Sequence, residues 1–117
     1  MNDRELLELA AKAIGQKIVG IVQAGFSDSA KIIGVFLDDG KDSWNPLTDD
    51  GDVARLEATL SLSLQWDARG VLVGGTITSD GDVVGGEYEA FHKHLDKNAA
   101  RRRATVLAAA AIGKAMP

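Results

Sequence analysis

Apolar residues fall at helical spacing in three stretches of this chain and at strand-like density between them. In the first, Leu6, Leu9, Ala10, Ala13 and Ile14 lie on one side of a 3.6-residue repeat, with Arg4, Glu5, Glu8 and Lys12 mostly elsewhere. This spacing predicts a helix over residues 3–14, capped by Asn2 or Asp3 and closed by Gly15. Val53, Leu56 and Leu60 give a second helical stripe. From about Lys97, Ala104, Leu107, Ala108, Ala111 and Ala115 share one side of a third helix. Asn98 or Asp96 is its expected cap, and Gly113 with Pro117 limits its end.

The segments Lys17 to Gln23 and Ala30 to Leu37 are rich in β-branched residues, and Ala24 to Ser29 between them is turn-like, so they read as an antiparallel hairpin. Both strands are apolar at nearly every position, which predicts helices over both faces. Ser61 to Trp66, Val71 to Thr78 and Val83 to Phe91 read as a three-strand meander, with Asp80-Gly81 as a hairpin signal. Leu62, Leu64 and Trp66 alternate with Ser61, Ser63 and Gln65, giving the first of these strands one apolar face and placing Trp66 in the core. Gly74-Gly75 and Gly85-Gly86 interrupt the other two and point to bulges or to close approach by another backbone, with exposed backbone available to a ligand or partner as the alternative use. The order is helix, two strands, helix, three strands, helix. The fold expected is α+β: a three-layer α/β/α sandwich with a mostly antiparallel sheet of about five strands and helices on both faces.

Residues Ser43 to Leu60 carry the most distinct local code. Pro46 fixes its own φ and pushes Asn45 towards an extended conformation, so Trp44 to Leu47 is a turn. Thr48 or Asp49 can accept from the free N–H groups of the following helix, and Asp49, Asp50 and Asp52 sit where the helix dipole favours negative charge. The run Trp44-Asn45-Pro46-Leu47-Thr48-Asp49-Asp50-Gly51-Asp52, followed by Arg55 and Leu56, resembles the signature of the phage ABA sandwich domain, a family of small phage and prophage proteins. The C-terminal run Ala99 to Ala104 and on through Ala110 to Gly113 is similar to that family's closing Ala- and Arg-rich helix. The resemblance implies a sandwich fold and a phage origin. It carries no reaction with it.

Length and 45% hydrophobic content fit one domain spanning residues 1–117. A net charge of −4 argues against general nucleic-acid binding through phosphate neutralisation and leaves room for a local basic patch. With no cysteine, disulfide and thiolate chemistry are excluded. The N-terminus has no basic, apolar leader, and no apolar run approaches the roughly 20 residues that span a bilayer. The expected setting is the cytoplasm of an infected bacterium.

Three constellations are candidates for chemistry. Asp49, Asp50 and Asp52 supply carboxylate oxygens of the kind that hard cations prefer, but their spacing is not that of an EF-hand, and capping accounts for the same residues. His92, His94 and Asp96 share one side of an extended segment, a thin transition-metal set, against a solvated strand end as the plainer reading. Arg101, Arg102 and Arg103 open the last helix, where positive charge opposes the dipole; one or two of them grip nucleic acid or an acidic partner, or else they pair with the acidic start of the central helix or are simply solvated. Trp44 either anchors its turn or belongs to an exposed recognition surface. No nucleophile elbow, phosphate loop or dinucleotide fingerprint is present.

The function expected is therefore a non-enzymatic phage accessory protein that binds a protein partner, through a sheet edge or through Trp44, Asn45 and the acidic turn. The alternatives are a nucleic-acid role for Arg101 to Arg103 with Lys93 and Lys97, and a small metal-dependent hydrolase. No cofactor is expected, and self-association stays open.

Overall fold

A computed structural model describes residues 1–24, 31–77, Asp80 and 83–117. Helix α1 runs Asp3–Ala13, strands β1 and β2 run Ile18–Ala24 and Lys31–Leu37, and α2 runs Asp50–Leu60. Strands β3 (Leu64–Trp66), β4 (Gly70–Ile77) and β5 (Val83–Ala90) follow, then a 3₁₀ turn at Phe91–Lys93 and α3 over Lys97–Ala115. The element order matches the expected one. The Asp80-Gly81 turn and the turn after Ala24 lie outside the described residues, apart from Asp80 itself.

The arrangement of the sheets does not match. Two separate antiparallel sheets form, β1-β2 and β3-β4-β5, in place of one five-stranded sheet. The outer edge of β2 is already taken. Trp44 and Val35 exchange both backbone hydrogen bonds, at 2.7 and 2.9 Å, and the Asn45 side-chain amide donates to the Ile33 carbonyl at 2.8 Å. An edge occupied in this way has no free ladder for another strand. The turn at Trp44 thus ends the first sheet on the β2 side.

Helix α3 links the two halves. Its Val106, Ala109 and Ala110 pack in one core with Leu6, Leu7, Ala10 and Ala11 of α1, Val35 and Leu37 of β2, Trp44 and Leu56. Its Ala100, Ala104 and Ala108 pack in a second core against Val71 and Val73 of β4. Positions 100, 104 and 108 form one stripe at i, i+4 spacing, and 106, 109, 110 and 113 form another. A helix apolar on two sides is a buried helix, and alanine lets both neighbours come close. The expected single stripe is corrected accordingly, because Ala111 and Ala115 are exposed. In α1 the buried face is Leu6, Leu7, Ala10 and Ala11, turned slightly from the one predicted.

The hairpin is less covered than its composition suggested. Val19, Ile33 and Phe36 are 65%, 57% and 42% exposed, so helices do not sheathe both faces. Apolar content states what a strand can bury; among the described residues Val35 and Leu37 of β2 reach the core shared by α1, α2 and α3, while the other face of the strand stays open. Strand β3 starts three residues later than expected because Ser61 adopts the left-handed conformation (φ 53°) and Leu62 N–H donates to the Glu57 carbonyl, closing α2. The paired glycines keep one register, with Gly75 opposite Gly85, and form no bulge. A side chain at Gly86 would stand 2.5 Å from the Val73 carbonyl oxygen, so close approach of backbone is the reason for glycine there. Among the described residues no helix is long and apolar enough to cross a membrane.

The tightest contact is between α1 and α3. A Cβ at Gly113 would lie 1.9 Å from the Leu9 carbonyl oxygen. Gly113→Ala is expected to push the two helices apart and to cost about 3 kcal/mol, at the upper end of ordinary overpacking. Denaturant titration checks it: a change under about 0.5 kcal/mol means that the helices do not cross this closely.

Candidate functional site

The turn from Trp44 to Asp52 is built on Asn45, which is 6% exposed. Pro46 permits the extended conformation before it, and every polar group of Asn45 is then used. Its N–H donates to Asp52 Oδ2 at 2.9 Å, and its side-chain oxygen accepts from Leu47 N–H at 3.1 Å. Its carbonyl accepts from the N–H groups of Thr48 and Asp49. Asp49 caps α2 by accepting from Asp52 N–H at 2.8 Å. Of the two expected caps, Asp49 serves and Thr48 does not.

The three aspartates have three different partners. Asp49 holds the cap, Asp50 pairs with Arg102 at 2.8 Å, and Asp52 pairs with Arg55 at 2.6 Å. The arginine run is distributed as well. Arg101 grips both oxygens of Glu57, at 2.9 and 2.5 Å, and Thr105 Oγ1 donates to the same carboxylate at 2.8 Å. Arg102 also donates to the Leu47 carbonyl at 3.0 Å, and Arg103 reaches Asp3 at 3.4 Å. The pairing of the arginines with the acidic helix start, one of the two readings of the sequence, is seen at Asp50. The hydrogen bond to Glu57 holds the Arg101 guanidinium pKa above its usual value. Because α3 begins at Lys97, the arginines lie in its second turn, so the expected conflict with the dipole does not fall on them.

The histidine set is not brought together. Residues Phe91–Lys93 form a 3₁₀ turn, which breaks the alternation that would align His92, His94 and Asp96. His94 Nε2 contacts Glu89 Oε1 at 2.8 Å, Asp96 caps α3 through Ala99 N–H at 2.7 Å, and His92 is exposed. Among the described residues no group of three His, Asp or Glu is arranged for a metal ion.

Trp44 is 8% exposed and is part of the first core. It also forms one wall of a pocket of about 490 Å³, with Ile14, Leu37 and Leu56 as further apolar lining. Lys41, Asp42, Arg55 and Thr59 stand around it, and the Arg55 side chain is 71% exposed. The volume lies within the range of ordinary small-ligand sites, which combine an apolar lining with a few polar groups.

Comparisons with protein-family models, with curated proteins and with solved structures return no match for this chain.

Sequence reasoning missed Glu57, which is 8% exposed. The signal was present: Glu57 falls at i+4 from Val53, inside the apolar stripe of α2. It also placed Trp66 in the core, whereas Trp66 is 49% exposed at the end of a short edge strand. Beyond that strand, Asp67 accepts from Arg69 N–H and Gly70 N–H, each at 2.8 Å, and from Tyr88 O–H at 3.0 Å. The Arg69 N–H is the main cause of an Asp67 pKa below the usual carboxylate value. Tyr88 is shifted upward, first by desolvation and then by its bond to Asp67.

Two outcomes follow from these contacts. Arg101→Met leaves Glu57 without its cation and is expected to cost about 2 kcal/mol in denaturant titration, less than the loss of a fully buried pair because the Arg101 side chain is 23% exposed; an unchanged midpoint contradicts the role given to this pair. The chain has a single tyrosine, so phenolate absorbance reports Tyr88 alone. Its midpoint is expected above about 10 and closer to that value in Asp67→Asn. Protonated Tyr88 is favoured in the fold, so its contribution to stability is present below the unfolded value and lost as pH rises through the folded one. A midpoint at or below the ordinary value contradicts the contact.

Proposed function

We propose that this protein is a non-catalytic binding module that holds a protein partner in the pocket beside Trp44. The observation that carries this reading is the contrast between the pocket and the candidate catalytic groups. The three aspartates of the turn, the three arginines of α3, His94 and Asp96 all have partners within the chain. The pocket instead offers apolar surface from Leu37, Trp44 and Leu56, with Asp39, Lys41, Asp42 and the Asp52–Arg55 pair among its polar lining. An inserted apolar side chain fits that surface. A small concave site of this kind holds an anchor residue, and anchors carry most of the energy of an interface.

The resemblance of Trp44 to Asp52 to the phage ABA sandwich signature supports placing the module among phage or prophage accessory proteins, acting in the bacterial cytoplasm on a host or phage protein. The nucleic-acid reading of Arg101 to Arg103 is weaker, because each guanidinium is already neutralised by a carboxylate.

Thr59 lies on the pocket lining and on the exposed side of α2. Thr59→Trp is expected to fill the pocket and to reduce recovery of the partner from infected-cell lysate at least about tenfold, the effect of losing one good anchor. Thr59→Ser is expected to recover it normally. Equal recovery by the tryptophan variant, or no recovered protein with the unaltered chain, overturns the proposal.

A further inference from the structure

A second surface lies at the end of the three-stranded sheet and centres on Phe91. Phe91 N–H donates to the Arg69 carbonyl at 2.9 Å, which brings the loop before β4 against the turn after β5. The Trp66 ring stacks on Phe91 with centroids 6.0 Å apart and planes 30° from parallel, and Lys97 Nζ lies 5.2 Å from the Phe91 centroid. Next to this stack is an open groove of about 520 Å³, with Tyr88, Phe91, Arg69 and His92 around Ala68 and Ala90. Trp66 and Tyr88 remain 49% and 37% exposed.

Phe91 packs against the second core, and the two exposed rings of Trp66 and Tyr88 stand on either side of it. None of the six residues lining the groove is acidic. The carboxylates at this end are held in place: Asp67, which stays ionised, accepts from Tyr88 and two backbone N–H groups, Glu89 contacts His94, and Asp96 caps α3. Arg69 and His92 line the groove, Lys97 lies over Phe91, and Lys93 is exposed on the same 3₁₀ turn as Phe91. Exposed rings bordered by cations suit a ligand that alternates flat π surfaces with negative charge. Aromatic grooves also take proline-rich peptides, but those do not need the cations.

We propose that this end of the sheet binds single-stranded nucleic acid, with bases stacked on Trp66 and Tyr88 and phosphates met by Arg69, Lys93 and Lys97. Stacking of this kind accepts any base, because every base presents a π face. The acidic balance of the rest of the chain makes the binding modest and confined to low salt. The site is separate from the pocket beside Trp44 and does not rest on the function proposed for it.

Anisotropy of labelled oligothymidylate and oligoadenylate, titrated with the full chain at low salt, tests the proposal. Both oligonucleotides are expected to bind. Trp66→Ala is expected to weaken binding about tenfold, the loss of one base stack, while Trp66→Phe restores most of it. Arg69→Ala with Lys93→Ala is expected to weaken binding and to reduce the steepness of its salt dependence by about 0.7 for each phosphate that is no longer neutralised. Thr59→Trp and Arg103→Ala are expected to bind as the unaltered chain does. No binding at low salt, equal binding by Trp66→Ala when its thermal unfolding is unchanged, or displacement of the oligonucleotide by a proline-rich peptide overturns it.

Discussion

The structure depends on α3 being buried along two sides. A helix between two cores must present small side chains to both, and Ala100, Ala104, Ala108, Ala109 and Ala110 do so. Gly113 takes this to its limit, where the backbone of α1 comes so close that no side chain fits. Alanine surfaces are smooth, however, and fix the position of a neighbouring helix poorly. Glu57, Arg101 and Thr105 supply that missing specificity. A bidentate pair admits one relative position of its two helices, so α2 is held on α3 in a single register.

The Trp44 to Asp52 turn does a related task at the other sheet. Its tryptophan closes the edge of β2, its asparagine satisfies both the strand and the turn, and its aspartates start α2 and tie it to α3. The most distinctive stretch of the sequence is thus largely architectural. What it leaves over is the pocket between Trp44, Leu37 and Arg55, and the binding function is proposed there for that reason. The aromatic surface at the end of the second sheet is built differently, from the ends of β3 and β5, the loop before β4 and the 3₁₀ turn, tied by Phe91 N–H to the Arg69 carbonyl and by Tyr88 O–H to Asp67.

The elements themselves were legible because their signals are local. Asn2, Asp49 and Asp96 each precede a periodic stretch and each caps a helix. The meander of β3, β4 and β5 followed from alternation and turn residues. The partition into two sheets was not legible, because the β2 edge is taken by a backbone pairing between Trp44 and Val35 that neither residue's type announces. The coverage of the hairpin was misread for a related reason: periodicity tells which side chains are apolar and says nothing of what lies against them. In α3 two stripes merged into one apparently uniform apolar run. At the candidate site the capping roles were readable from position, and one arginine pairing was foreseen. Glu57 is marked by its place inside the apolar stripe of α2, but its partners Arg101 and Thr105, like those of Phe91, are remote in sequence.

With α3 packed into both cores, the two sheets are expected to open as one cooperative unit. Native-state hydrogen exchange decides this by comparing the opening free energies of amides in α1, β4 and α3. The slowest amides of all three are expected to share one value, equal to the global stability and lowered together by denaturant. A β4 that exchanges through a separate, cheaper opening while α1 and α3 stay protected would contradict it.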